Sequence, residues 1–235
     1  MKAASSLERW FVDHVPAAGV PMRLARAAVA AVSPRRATYS QHGEDVWLFE
    51  QIRSMQLSPN DIYVDVGANH PTRISNTYLL YRRGFRGVVI EPNAELLRLH
   101  RMVRPRDVAL AVGCGAQACV AKFHVTNAPV SSSFKLAAVS KLHRVVRTEY
   151  VPVLRLDDIL RAVEHRYVSL LSIDTEGLDA EVLDGAIETL VKTRFVCVEV
   201  FDPASEDQVR SRLSGSFECI RQFGCNLIWR NIREI

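Results

Sequence analysis

The chain has 235 residues, 48% hydrophobic and 24% charged, which fits one globular domain with a modest extension rather than two full domains. Its five cysteines (Cys114, Cys119, Cys197, Cys219, Cys225) are odd in number and hold no C-x-x-C pair, which argues against a disulfide framework or zinc site and for a reducing, cytoplasmic location. The net charge of +4 resides entirely in residues 1–36, so residues 37–235 are formally neutral and offer no surplus for the many phosphate contacts a nucleic acid needs.

Residues 1–36 read as a basic extension. Pro16, Gly19 and Pro21 interrupt its apolar stretch, unlike a secretory signal, and Pro21–Val32 reads as an Ala-rich helix with proline at its start. No uninterrupted apolar run of about 18 residues is present to span a membrane. The catalytic body is expected over 37–235. Strands are predicted at Asp61–Val66, Gly87–Ile90, Asp107–Val112, Ala118–Val125, Val168–Ile173 and Phe195–Val200. Helices are predicted at Ser75–Arg83, Ala94–Val103, Asp157–Val163 and Asp179–Leu190, with a loop at Ser131–Ser133. Phe217–Gln222 and Asn226–Arg230 flank Gly224 and read as a closing hairpin. The alternation implies an α/β fold: a mostly parallel sheet with helices on both faces and a C-terminal antiparallel hairpin.

In open α/β sheets ligands gather at the carboxyl ends of the strands. The first strand ends in Asp65-Val66-Gly67-Ala68-Asn69, where glycine lets backbone approach closely and Asn69 can hydrogen-bond a carboxylate or ribose. The second ends in Glu91-Pro92-Asn93, and Glu91 is suited to bind both ribose hydroxyls. Asp107, at the third strand, is a candidate for an adenine edge. Asp174-Thr175-Glu176-Gly177 follows the fourth parallel strand, and Glu199 and Asp202 follow the fifth. Only the first glycine of a G-x-G-x-x-G loop is present, at Gly67, so a ribose-binding acid without a diphosphate loop fits adenosylmethionine better than NAD. Acids at strand ends also act as helix caps, as Asp157 and Asp179 are placed to do.

The segment Tyr39-Ser40-Gln41-His42-Gly43-Glu44-Asp45, then DVGANHP, ISNTYLLYRRG, GVVIEPN, LRLDDIL, SIDTEG and FVCVEV, resembles the FkbM-type methyltransferases over roughly residues 39–200. The resemblance implies a class I methyltransferase, Rossmann-like fold and adenosylmethionine-dependent methylation of a hydroxyl on a sugar or natural product. It implies Gly67 and Asn69 at the methionine end, Glu91 on the ribose, Asp174 beside the transferred methyl, and Gln41 reaching the cofactor from the helix before the first strand. Asp65 and Asn93 join the cofactor-binding candidates. One departure is His70-Pro71, where many relatives have a glycine two residues after the asparagine.

Methyl transfer to a hydroxyl needs an aligned acceptor and a destination for its proton. His70, His143 and Glu176 are the candidates for the base, and His100 and His165, in helical stretches, read as surface. A second mechanism has Mg²⁺ between Asp174 and Glu199, with Asp202 nearby, lowering the acceptor pKa. The loop Ser131–Ser133 and residues 135–150 are expected to shape the acceptor pocket. The expected partner is a small-molecule or saccharide acceptor, with no nucleic acid; self-association into a homo-oligomer is open. The alternatives are an rRNA or tRNA methyltransferase, disfavoured because DTEG stands where N/D-P-P-Y/F is typical, and a non-catalytic adenosylmethionine-binding module. An NAD-dependent oxidoreductase lacks its second and third glycines.

Overall fold

The computed structural model describes residues 38–55, 61–128, 131–136, 139, 143–164 and 167–233. The extension, its Pro21–Val32 helix and His165 lie outside the described residues. In chain order, α1 (Glu44–Arg53) leads to β1 (Ile62–Val66), α2 (Tyr78–Arg82), β2 (Gly87–Ile90), α3 (Ala94–Val103) and β3 (Val108–Leu110). Then come β4 (Gly113–Cys114), β5 (Cys119–Thr126), β6 (Val145–Leu154), α4 (Leu156–Ala162), β7 (Val168–Ile173), α5 (Asp179–Asp184), α6 (Ile187–Val191) and β8 (Thr193–Glu199). The chain closes with α7 (Pro203–Leu213), β9 (Phe217–Phe223) and β10 (Asn226–Asn231).

The apolar runs IYVDV, GVVI and VSLLSI are buried along their whole length, as strands covered on both faces must be. They form the centre of a seven-stranded sheet in the order β3-β2-β1-β7-β8-β10-β9. All neighbours pair in parallel except β10, which runs antiparallel to both β8 and β9. Val64 of β1 sits beside Val88 on one side and Leu171 on the other. The strand order reverses between β1 and β7, which opens a crevice at their carboxyl ends. Ile62, Val64, Val66, Leu171, Ile173, Val196, Val198, Leu227 and Trp229 share one core, each large side chain there stabilising the fold by about 1.5–3 kcal/mol. No helix among the described residues is long and apolar enough to cross a membrane.

Three sequence expectations need correction. The strand at 118–125 does not join the main sheet; β5 pairs with β6, and β6 with β4, in a separate three-stranded sheet. The ten-residue β6 escaped notice because Arg147 and Glu149 occupy its less exposed positions and obscure the alternation; they pair with each other at 2.5 Å, and Arg147 reaches Glu95. The single helix expected at Asp179–Leu190 is two, α5 and α6, divided at Gly185-Ala186. A Cβ on Gly185 would lie 2.1 Å from the Gly115 carbonyl oxygen, and buried Asp157 accepts the amides of Glu188 and Thr189, capping α6 rather than its own helix. The helix α7 was also missed, although Asp202-Pro203 followed by Ser205 is a capping-box start.

Candidate active site

The loops after β1 and β7 are in backbone contact. Asp174 N–H donates to Val66 O at 3.0 Å, and a Cβ on Gly67 would fall 1.8 Å from the Asp174 carbonyl oxygen. Gly67 has φ of 78°, in the region that favours glycine. The close approach read from the sequence is therefore made to the neighbouring loop. Asn69 also adopts a left-handed conformation, with φ of 46°. Its N–H donates to Glu91 Oε2 at 2.8 Å, and its carbonyl lies 2.9 Å from His100 Nε2.

Glu91 stands at the end of β2, buried, with Oε1 accepting the Asn93 amide at 2.7 Å. Burial pushes its carboxyl up to about 7, against the two backbone donors and with Asp65 adding a smaller upward push. A carboxylate has about four acceptor sites, so two remain for hydroxyl donors. Asn93 has a different task from the one expected: its side chain accepts the Glu95 amide and caps α3.

The second half of the site is acidic. One carboxylate oxygen each from Asp174, Glu176 and Glu199 lies within 4.8 Å of the others. Burial, and then Glu199, hold the Asp174 carboxyl well above its ordinary range. Glu176 is raised to about 7, by burial first and then by Glu199 and Asp179. Cys225 donates its thiol to Glu199 Oε1 at 2.9 Å, and burial with that bond pushes the thiol up to about 12. The DTEG turn is braced from below and from the side. Asp179 accepts from Thr175 N and Oγ1 at 3.0 Å and from Gly177 N at 3.3 Å. Ser133 Oγ donates to Glu176 O at 3.0 Å, and Lys135 Nζ donates to Gly177 O at 2.6 Å.

The raised acids have a consequence for stability. Glu91 and Glu176 hold protons more tightly folded, at about 7, than at their ordinary 4.5. Folding therefore takes up protons across that window, and the stability of the ligand-free protein falls as pH rises through it. Thermal melts in EDTA are expected to show a declining Tm between about pH 5 and about 8. A flat or rising profile would sink this reading.

Other candidates fall elsewhere. Asp107 precedes β3, so it lies at the amino end of its strand and away from Glu91; the adenine-edge role is withdrawn. It accepts from Tyr63 Oη at 2.6 Å, Arg104 Nε at 2.7 Å and Gly87 N at 3.0 Å, deep in the fold. Asp65 points into the same buried ionic cluster, accepting from Thr77 Oγ1 and lying 3.8 Å from Arg104. Asp202 is an N-cap, accepting Ser205 N at 2.8 Å, and stands outside the acidic group; Glu176 takes the place expected for it. His70 Nδ1 accepts the Thr72 amide at 3.2 Å and braces the turn. His143 Nδ1 lies 2.8 Å from Ser131 Oγ, beside the segment that carries Ser133 and Lys135. Gln41 is exposed and precedes α1 instead of belonging to it. His100, expected at the surface, is wholly buried. Its spacing from Leu96 and Val103 on α3 was the available signal.

No curated protein matches the chain. The family model of the methyltransferase FkbM domain matches residues 65–227, from the start of the Gly67 loop through the first half of β10. That span holds Glu91, the acidic trio and every parallel strand but the first residues of β1. The chain therefore belongs to the FkbM methyltransferase domain family and has its class I methyltransferase fold.

Proposed function

We propose that the protein transfers a methyl group from adenosylmethionine to a hydroxyl of a saccharide or related natural product. The observation that carries this reading is the pairing of a buried acid at the end of β2 with three converging acids at the ends of β7 and β8. Glu91 has acceptor sites for two vicinal ribose hydroxyls, and Asn69 is held beside it by their shared hydrogen bond. Adenosylmethionine, when bound, supplies an electrophilic methyl carbon. The acidic trio receives the acceptor hydroxyl: Asp174 orients it, and Glu176, with its carboxyl near 7, takes up the proton.

A second reading is favoured by the close approach of three carboxylates. Hard oxygen ligands suit Mg²⁺, and Asp174, Glu176 and Glu199 would hold it, lowering the acceptor pKa and relieving their mutual repulsion. Turnover of labelled adenosylmethionine against a saccharide panel, with and without Mg²⁺, tests both. Absence of turnover on hydroxyl acceptors alongside methylation of RNA would overturn the acceptor class.

Glu91→Ala is expected to weaken adenosylhomocysteine binding by about 1.5–3 kcal/mol, the scale of a charged hydrogen-bonding group. Calorimetry on the folded variant reads this directly. Unchanged affinity would place the ribose elsewhere.

A further inference from the structure

We infer that His100 is a positioning residue for the cofactor loop, its Nε2–H pinning the Asn69 carbonyl so that Asn69 and Glu91 stay aligned for adenosylmethionine. This rests on the function proposed above.

The ring reaches from α3 to the loop after β1 and is completely buried. A carbonyl oxygen only accepts, so the 2.9 Å contact requires the proton on Nε2. Nδ1 is then a bare acceptor, and it is buried with no hydrogen-bond partner among the described residues. That orphan is a cost to folding which a leucine of similar bulk would not carry. The Nε2–H contact is what distinguishes histidine from an apolar residue here. Burial drives the imidazole down to about 3, and the Arg104 guanidinium pushes the same way, so the donor stays neutral across the working range.

The recipient is a non-glycine residue in the left-handed region, a conformation that persists only when its surroundings over-determine it. Asn69 is held from two sides: its N–H by Glu91 and its carbonyl by His100. Both restraints converge on one helix. Asn93 caps α3 while its own amide holds the other Glu91 oxygen, and His100 lies farther along the buried face of α3. Gly67 and Ala68, just before, donate to Ile90 O at 2.9 and 3.3 Å. Removing the His100 donor releases the one carbonyl restraint of Asn69, and with it the alignment of the Asn69–Glu91 bond.

The test uses the full chain and adenosylhomocysteine calorimetry on His100→Leu, His100→Gln and His100→Asn. The glutamine amide nitrogen can occupy the place of Nε2, whereas the asparagine nitrogen falls near Nδ1. His100→Leu is expected to bind about tenfold more weakly, the scale of one lost hydrogen bond, with the loss in KM for adenosylmethionine rather than in kcat. His100→Gln should restore binding to within about threefold, and His100→Asn should not. Folded His100→Leu binding like the natural chain, or His100→Gln no better than His100→Leu, would overturn the inference. If the natural chain itself ignores adenosylhomocysteine, the proposed function fails instead. Nitrogen NMR of the natural chain then decides the anchor alone, and also serves if His100→Leu does not fold. A neutral Nε2–H ring supports it; an Nδ1–H ring or an imidazolium near neutral pH overturns it.

Discussion

Asp174→Asn is expected to lower methyl transfer by roughly 10²–10⁴-fold while leaving the protein folded. Asp174 belongs to both versions of the chemistry, because it stands at the end of β7, in the crevice where the strand order reverses, and shares the acidic trio with Glu176 and Glu199. Its carboxyl is already strained toward the protonated form by burial and by Glu199. Removing that charge relieves a like-charge contact, so the Tm of the variant in EDTA should equal or exceed that of the natural chain. Loss of activity with gain of stability separates a catalytic role from a structural one. Glu199→Gln then divides the mechanisms. With a metal, EDTA suppresses turnover, Mg²⁺ restores it, and Glu199→Gln resembles metal removal. With a side-chain base, chelation has no effect and Glu176→Gln carries the loss. Full activity of Asp174→Ala would defeat both.

The second large effect is on the fold. Gly67→Ala should cost about 4 kcal/mol or more in chemical denaturation, beyond the usual range for a single substitution. Two penalties combine at this position. The left-handed backbone costs about 1–2 kcal/mol for any residue with a Cβ. The Cβ would also overlap the Asp174 carbonyl at 1.8 Å, where the obstacle is backbone of the adjacent central strand. Gly43 supplies the control: it has φ of 89°, yet nothing lies within 4 Å of its would-be Cβ. Gly43→Ala should therefore show the backbone penalty alone. Equal destabilisation of the two variants would mean that the β1 and β7 loops can part without cost.

What the sequence determined by itself is local or directional. Continuous apolar runs such as VSLLSI can only be strands covered on both faces, and Gly224 between two β-rich runs marks the hairpin. Residues just past such runs stand at the ligand end of the sheet, which singled out Glu91, Asp174 and Glu199 before any contact was known. Tertiary structure decided everything that depends on a neighbour distant in the chain. Asp107 looked like the other strand-end acids, but it begins its strand and is consumed by Tyr63, Gly87 and Arg104. Gly185 looked permissible within a helix until Gly115 pressed against it. His100 carried the spacing of a buried face, yet only its approach to Asn69 O gave the ring a task. Glu176 joined the metal-competent trio, and Asp202 left it, because a left-handed turn carries one inward while a capping box holds the other on α7. Periodicity is a property of neighbouring residues, whereas charge repulsion, steric overlap and hydrogen bonding act through space. Those three placed the site.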